Sequence, residues 1–131
     1  MKRILILLVL TLSTMSVLSQ TTASSTNIES DGIVPTYKLY KTQNMWIFIK
    51  LNTLDGRMKL VQFSVNDVND IGEFDLNIVN LALGKDKRNG RFALTPTDNM
   101  YTFLLLDQID GDVWQVQWDF EPKNRFVRKI E

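Results

Sequence analysis

The chain has 131 residues, 15 basic and 15 acidic side chains for a formal net charge of zero, three tryptophans, no cysteine and no histidine. Without histidine it lacks the usual general base near neutral pH, the Ser-His and Cys-His couples, and the commonest transition-metal ligand. Without cysteine, its stability in an oxidising compartment rests on packing alone.

The N-terminus reads as a targeting signal. Lys2 and Arg3 form a positive head, Ile4 to Leu12 is an apolar run too short to span a bilayer, and small residues follow. Cleavage is expected after Ser19, with Thr21–Ala23 as the alternative. No cysteine is present near this point, which excludes a bacterial lipoprotein anchor. Residues 20–32 read as a flexible Ser/Thr-rich leader and residues 33–131 as one domain. Setting aside Lys2 and Arg3 leaves 13 basic against 15 acidic residues, a charge of −2. Neither nucleic acid nor an anionic membrane is the expected partner, since both demand a basic face.

The domain is a duplication. Thr42 to Gly56 reappears as Thr97 to Gly111 at an offset of 55 residues, without a gap from Thr36/Arg91 to Val65/Phe120. Ten of the aligned positions are identical, where about two are expected from average residue usage. Each copy, over about residues 36–78 and 91–130, reads as a meander. Its first strand is Thr36–Lys41 (Arg91–Thr95), its second Met45–Asn52 (Met100–Asp107), and its third Met58–Val65 (Val113–Phe120). Asp55-Gly56 and Asp110-Gly111 mark the hairpin turns. A two-residue turn would set Phe48 opposite Phe63 and Phe103 opposite Trp118, making an aromatic face. The apolar alternates Ile47, Ile49 and Leu51, with Leu104 and Leu106 in the copy, predict a second strand covered on both sides. Glu73–Ile78 and Arg125–Ile130 read as fourth strands, with a helical turn over Leu76–Leu83 as the alternative. The expected fold class is all-β: two antiparallel meanders of three to four strands, sandwich-like or barrel-like with a pseudo-twofold axis.

Positions shared by the copies belong to the fold. Asn44 and Asn99 stand just before a strand and predict Asx-type backbone bonds. Gln62 and Gln117 suit either a buried amide ladder between the copies or ligand contact. Positions where the copies differ are freer to bind: Lys50/Leu105, Arg57/Asp112 and Lys59/Trp114. Trp114 and Trp118, about 13 Å apart by strand rise, could lie under a sugar chain or peptide, although core placement beside Val116 and Phe120 is the simpler expectation. The candidate ligand-binding residues are therefore Trp114, Trp118, Lys50 and Lys59. Asp98, Asp107, Asp110 and Asp112 surround the second hairpin, but their spacing fits no calcium loop. Asp107, Asp112 and Asp119 offer carboxylates without the cleft that glycosidase chemistry needs. No catalytic residue, resident metal or cofactor is expected.

The second copy carries Asn99-Met-Tyr-Thr-Phe103, Leu106-Asp107, Gly111, Trp114-Gln-Val-Gln-Trp118 and Asn124-Arg-Phe-Val127. This pattern resembles duplicated exported proteins of gut Bacteroidetes with an NMWxFxxLDxxxGxxWQVQW-type repeat. The first copy departs from it at Lys59 and Phe63, where tryptophan is usual. The resemblance covers nearly the whole domain and implies an exported bacterial envelope protein, with no activity attached. A fainter likeness to propeller blade repeats is explained by shared hairpin grammar. Together these readings lead to a non-enzymatic binding domain, periplasmic or secreted, with a protein partner in the envelope and no membrane insertion once the signal is removed. A small-ligand or glycan-binding module is the alternative. An enzyme inhibitor presenting Lys85–Asn89 or a hairpin tip is another. Exposed strand edges could also pair between chains.

Overall fold

A computed structural model describes Gly32 and residues 34–131. The expected signal peptide, and the expected leader apart from Gly32, lie outside the described residues. Among the described residues, eight strands form two four-stranded antiparallel sheets, each a simple meander in chain order. The first sheet holds β1 (Tyr37–Lys41), β2 (Ile47–Asn52), β3 (Met58–Gln62) and β4 (Gly72–Asn77). The second holds β5 (Phe92–Pro96), β6 (Thr102–Asp107), β7 (Val113–Gln117) and β8 (Phe126–Ile130). Single 3-10 turns at Val68–Asp70 and Pro122–Asn124 lead into β4 and β8. The all-β class, the two meanders and the two fourth strands match the expectation. The sheets pack as a sandwich and do not close into a barrel. Leu76 and Asn77 end β4, and the chain from Ile78 to Leu83 is turn and loop rather than helix.

Asn44 and Asn99 do what their position predicts: each side-chain oxygen accepts from a backbone N–H two residues on, Trp46 and Tyr101, at 2.9 Å. The matched threonines close the same loops, Thr42 Oγ1 donating to the Ile47 carbonyl and Thr97 Oγ1 to that of Thr102, both at 2.8 Å.

The hairpin register differs from the one expected. Phe48 stands opposite Val61 and Phe103 opposite Val116, two residues from the predicted partners. The reason is the turn. Asn52 N–H donates to the Arg57 carbonyl at 2.8 Å and Gly56 N–H to the Asn52 carbonyl at 3.0 Å, so four residues rather than two lie between the paired ends. Asp107, Asp112 and Gly111 repeat this geometry. Gly56 and Gly111 both take positive φ, +78° and +80°, which is why each turn ends on glycine. An even shift leaves every side chain on its predicted face.

The two copies bury opposite faces. In β2 the buried residues are Ile47, Ile49 and Leu51, whose counterparts Thr102, Leu104 and Leu106 are half-buried or exposed. In β6 the buried residues are Phe103, Leu105 and Asp107, whose counterparts Phe48, Lys50 and Asn52 are half-buried. The same inversion holds in the third strands, where Met58 and Leu60 are buried on one side and Trp114 and Val116 on the other. A twofold axis between the copies would bury matched positions alike, so that detail of the expectation is corrected. With the face that carries Lys50 and its counterpart Leu105 called the front, the back of the first sheet packs on the front of the second, making one core from Ile47 to Trp118. The expectation that the second strand is covered on both sides fails for the same reason: Leu104 and Leu106 face outward, 36% and 38% exposed.

Thr53 stitches the sheets. Its N–H donates to the Thr36 carbonyl at 2.7 Å, its carbonyl accepts from Phe92 N–H at 2.9 Å, and its hydroxyl accepts from Gly90 N–H at 2.9 Å. Among the described residues, no helix is long and apolar enough to cross a membrane.

Candidate functional site

Face-to-back stacking leaves the front of the first sheet without a sheet on top of it. There, β2 and β3 set Lys50 directly opposite Lys59, and β3 and β4 set Lys59 opposite Asp75. The register shifts between Met58 and Lys59, where β4 carries an extra residue, Leu76, between Asp75 and Asn77. Beside it opens a pocket of about 540 Å³, within the range that holds a small ligand. Tyr37, Lys50, Arg57, Met58, Lys59 and Ile78 supply most of its wall, with Asn52, Asp75 and Asn77 completing it. Tyr37, one of the lining residues, is 60% exposed.

Every cation in this wall has a carboxylate. Lys50 pairs with Glu73, Arg57 Nη2 lies 2.6 Å from Asp55 Oδ2, and Lys59 Nζ lies 3.5 Å from Asp75 Oδ1. The buried Asp55 carboxylate raises the pKa of Arg57, by hydrogen bond first and by charge second. The pocket is therefore rich in charge yet locally balanced.

Of the four candidate residues, the structure brings Lys50 and Lys59 together here and places the two tryptophans elsewhere. Trp114 and Trp118 face the core between the sheets, 8% and 0% exposed, so they form no open platform. Trp114 packs against Phe92 with ring centroids 6.0 Å apart. Trp118 packs between Tyr101 and Phe120, at 5.2 and 5.7 Å, and donates its indole N–H to the Met100 carbonyl at 2.9 Å. Sequence reasoning missed Tyr37, Asp75, Asn77 and Ile78. The Tyr37/Phe92 difference was a visible signal for the first; the others needed the β3–β4 register.

The carboxylates of the second hairpin converge too, with oxygens of Asp107, Asp110 and Asp112 within 4.8 Å of one another. Side-chain cations occupy the space between them. Lys85 Nζ lies 2.7 Å from Asp110 and 3.4 Å from Asp112, Arg91 Nη2 lies 2.7 Å from both Asp107 and Asp110, and Lys129 Nζ reaches Asp112 at 3.0 Å. Burial alone would push the Asp107 carboxyl up, but the Arg91 guanidinium and the N–H groups of Ile109 and Asp110 outweigh it and hold it low. Lys129 and then Lys85 lower Asp112, and Asp110 above all raises Lys85. Asp98 does not join the cluster, and Asp119 is turned to its own loop, accepting from Glu121 N–H at 2.8 Å. Positive charge that a divalent ion would bring is supplied here by lysine and arginine.

The charged loop is tied down as well. Besides Lys85, Asp86 pairs with Arg88 and its carbonyl accepts from Arg91, while Asn89 accepts from Thr36 Oγ1 at 3.1 Å. Gln117 donates to the Asn124 carbonyl at 3.2 Å rather than joining Gln62 in a ladder. A second cleft of about 400 Å³ lies between the matched turns, near Gln43, Thr97 and Phe103, but its threonine hydroxyls are engaged with backbone carbonyls. Comparison of the chain with protein-family models, curated proteins and solved structures gives no match.

Proposed function

We propose that the chain is an exported, non-enzymatic β-domain that binds another macromolecule in the cell envelope or outside the cell, through the front of its first sheet. One observation carries this reading. The matched face of the second sheet is the protein's core, whereas the first sheet presents the same face to solvent with a pocket at the end next to the β2–β3 turn. Such a face suits a partner that covers it as the first sheet covers the second. The positive head and apolar run at the N-terminus, and the resemblance to duplicated exported Bacteroidetes proteins, support export.

Capture from envelope extract tests the proposal. A single stoichiometric protein partner, lost on Lys50→Glu and kept on Gln115→Glu at the opposite surface, is the expected result. Equal capture by both variants would overturn the assignment to this face. Because the pocket has ligand-sized volume, a small-ligand or glycan-binding module is the second reading; glycan-array binding without any protein partner would put it first.

A further inference from the structure

We infer that the pocket at Tyr37, Lys50 and Lys59 takes a planar aromatic side chain from the protein partner, an inference that rests on the binding face proposed above. The template is inside the molecule. At an offset of 55 residues, Tyr37, Lys50, Arg57, Met58 and Lys59 match Phe92, Leu105, Asp112, Val113 and Trp114. The Trp114 side chain lies beside Phe92, on a strand position flanked by Leu105 and Lys129. In the second sheet, then, an indole fills the place that stands open in the first. The first copy has lysine there instead, and a register shift at Met58 and Lys59 that the second copy lacks at Val113 and Trp114.

Charge selects the kind of ring. Lys50, Arg57 and Lys59 would attract a free anion, but Glu73, Asp55 and Asp75 already balance them. A neutral aromatic ring exchanges no ion pair. It stacks on Tyr37, meets the Ile78 wall, lies along the lysine stems, and offers its π face to their ammonium groups. The Lys59–Asp75 pair is half-exposed on both sides and has little to lose by adjusting.

The probe is N-acetyltryptophanamide, titrated into the isotope-labelled protein and followed by NMR, with N-acetylleucinamide and benzoate as the aliphatic and anionic comparisons. The expected result is upfield ring-current shifts of the Ile78 methyl groups and the Tyr37 ring protons with N-acetyltryptophanamide, at least fivefold weaker binding of either comparison, and loss of the effect in Lys59→Trp, which fills the pocket from within. Should Lys59→Trp fail to fold, Tyr37→Ala replaces it and weakens binding at least fivefold. Silent Ile78 methyls and Tyr37 ring protons, equal shifts with N-acetylleucinamide, or shifts mapping to Leu104 and Leu106 would each overturn the inference. Stronger binding of benzoate would do the same in favour of an anion site. If a captured partner is lost on Lys50→Glu while the indole probe is silent, the aromatic inference falls and the binding face stands. If the probe binds and no macromolecule is captured, the reverse holds.

Discussion

Arg91 and Asp107 are both almost fully buried and bond to each other, the arginine also to the Asp86 carbonyl and the Asp110 carboxylate, the aspartate also to N–H groups of the turn. Arg91 Nε and Nη2 lie 3.1 and 2.7 Å from Asp107 Oδ2, while Asp107 Oδ1 accepts from Ile109 N–H at 3.0 Å and Asp110 N–H at 3.2 Å. The matched residue in the first copy is Asn52, which keeps the turn bond to Leu54 N–H at 3.0 Å without charge. Asp107→Asn should therefore preserve the turn and leave Arg91 with Asp110 as its one remaining carboxylate, lowering stability by about 2 kcal/mol in urea unfolding. The acid limb of stability follows the same group. A carboxyl held below its unfolded value of about 3.9 contributes stability that is present above that pH and is lost as pH falls through the folded value. Asp112 acts in the same direction. Lys85, raised by Asp110, contributes stability below its unfolded value of about 10.4 that disappears as pH rises beyond it. With no histidine in the chain, the melting temperature should be level from about pH 6 to 9 and fall on either side. A step near pH 6.5 in the melting curves would contradict this assignment. Tryptophan gives a second check at this scale. Trp46 is half-buried while Trp114 and Trp118 are in the core, so acrylamide should quench mainly the emission that Trp46→Phe removes.

Strands were the part of this molecule most legible in the sequence, and their partners the least. All eight follow from alternating or β-branched runs bounded by glycine, proline or Asx turns, and Trp114, Val116 and Trp118 take the common face that alternation predicts. The register was missed because Asp-Gly suggests a two-residue turn, whereas the Asn52 and Asp107 side chains organise a four-residue one from outside that dipeptide. Which face of each meander is buried was also out of reach, since both faces of β2 and β6 carry apolar residues and only packing decides between them. The candidate site was half legible for the same reason: Lys50 and Lys59 stand out as differences between copies, but Asp75 joins them through a long-range pairing. Thr53 shows how a small residue carries an element-scale role. Thr53→Val keeps the volume, removes the acceptor for Gly90 N–H, and leaves that group without its partner. The expected cost is about 1–2 kcal/mol, with faster hydrogen exchange at the Gly90 and Phe92 amides than elsewhere in the core. Uniform exchange rates in the variant would show that the stitch is dispensable.

Face-to-back stacking makes the two copies unequal despite their common pattern. Each meander has a face that is core in one copy and surface in the other, and the substitutions between copies follow that division. Leu105 and Trp114, which are covered, correspond to Lys50 and Lys59, which are not. Repeat stacks need a polar outer face on their end units, and the first sheet's lysines, with Glu73 and Asp75, supply one around the pocket. The second sheet ends the stack differently, with Leu104, Leu106 and Ile130 exposed by 36%, 38% and 49% among Gln115, Gln117 and Arg128. Neither copy can bury its apolar face alone, because the core is shared: Ile49 and Leu60 come from the first, Leu105, Val116 and Trp118 from the second. The domain should consequently unfold in one cooperative transition, with tryptophan emission and far-ultraviolet circular dichroism melting together. Residues 34–90 or 91–131 expressed singly should lack a melting transition. Mixed together they should recover tertiary signal, because Phe92 N–H still meets the Thr53 carbonyl and the two halves of the core remain complementary. A cooperative transition in either half alone would mean that the copies are independent units, and that the buried front of the second sheet owes nothing to the first.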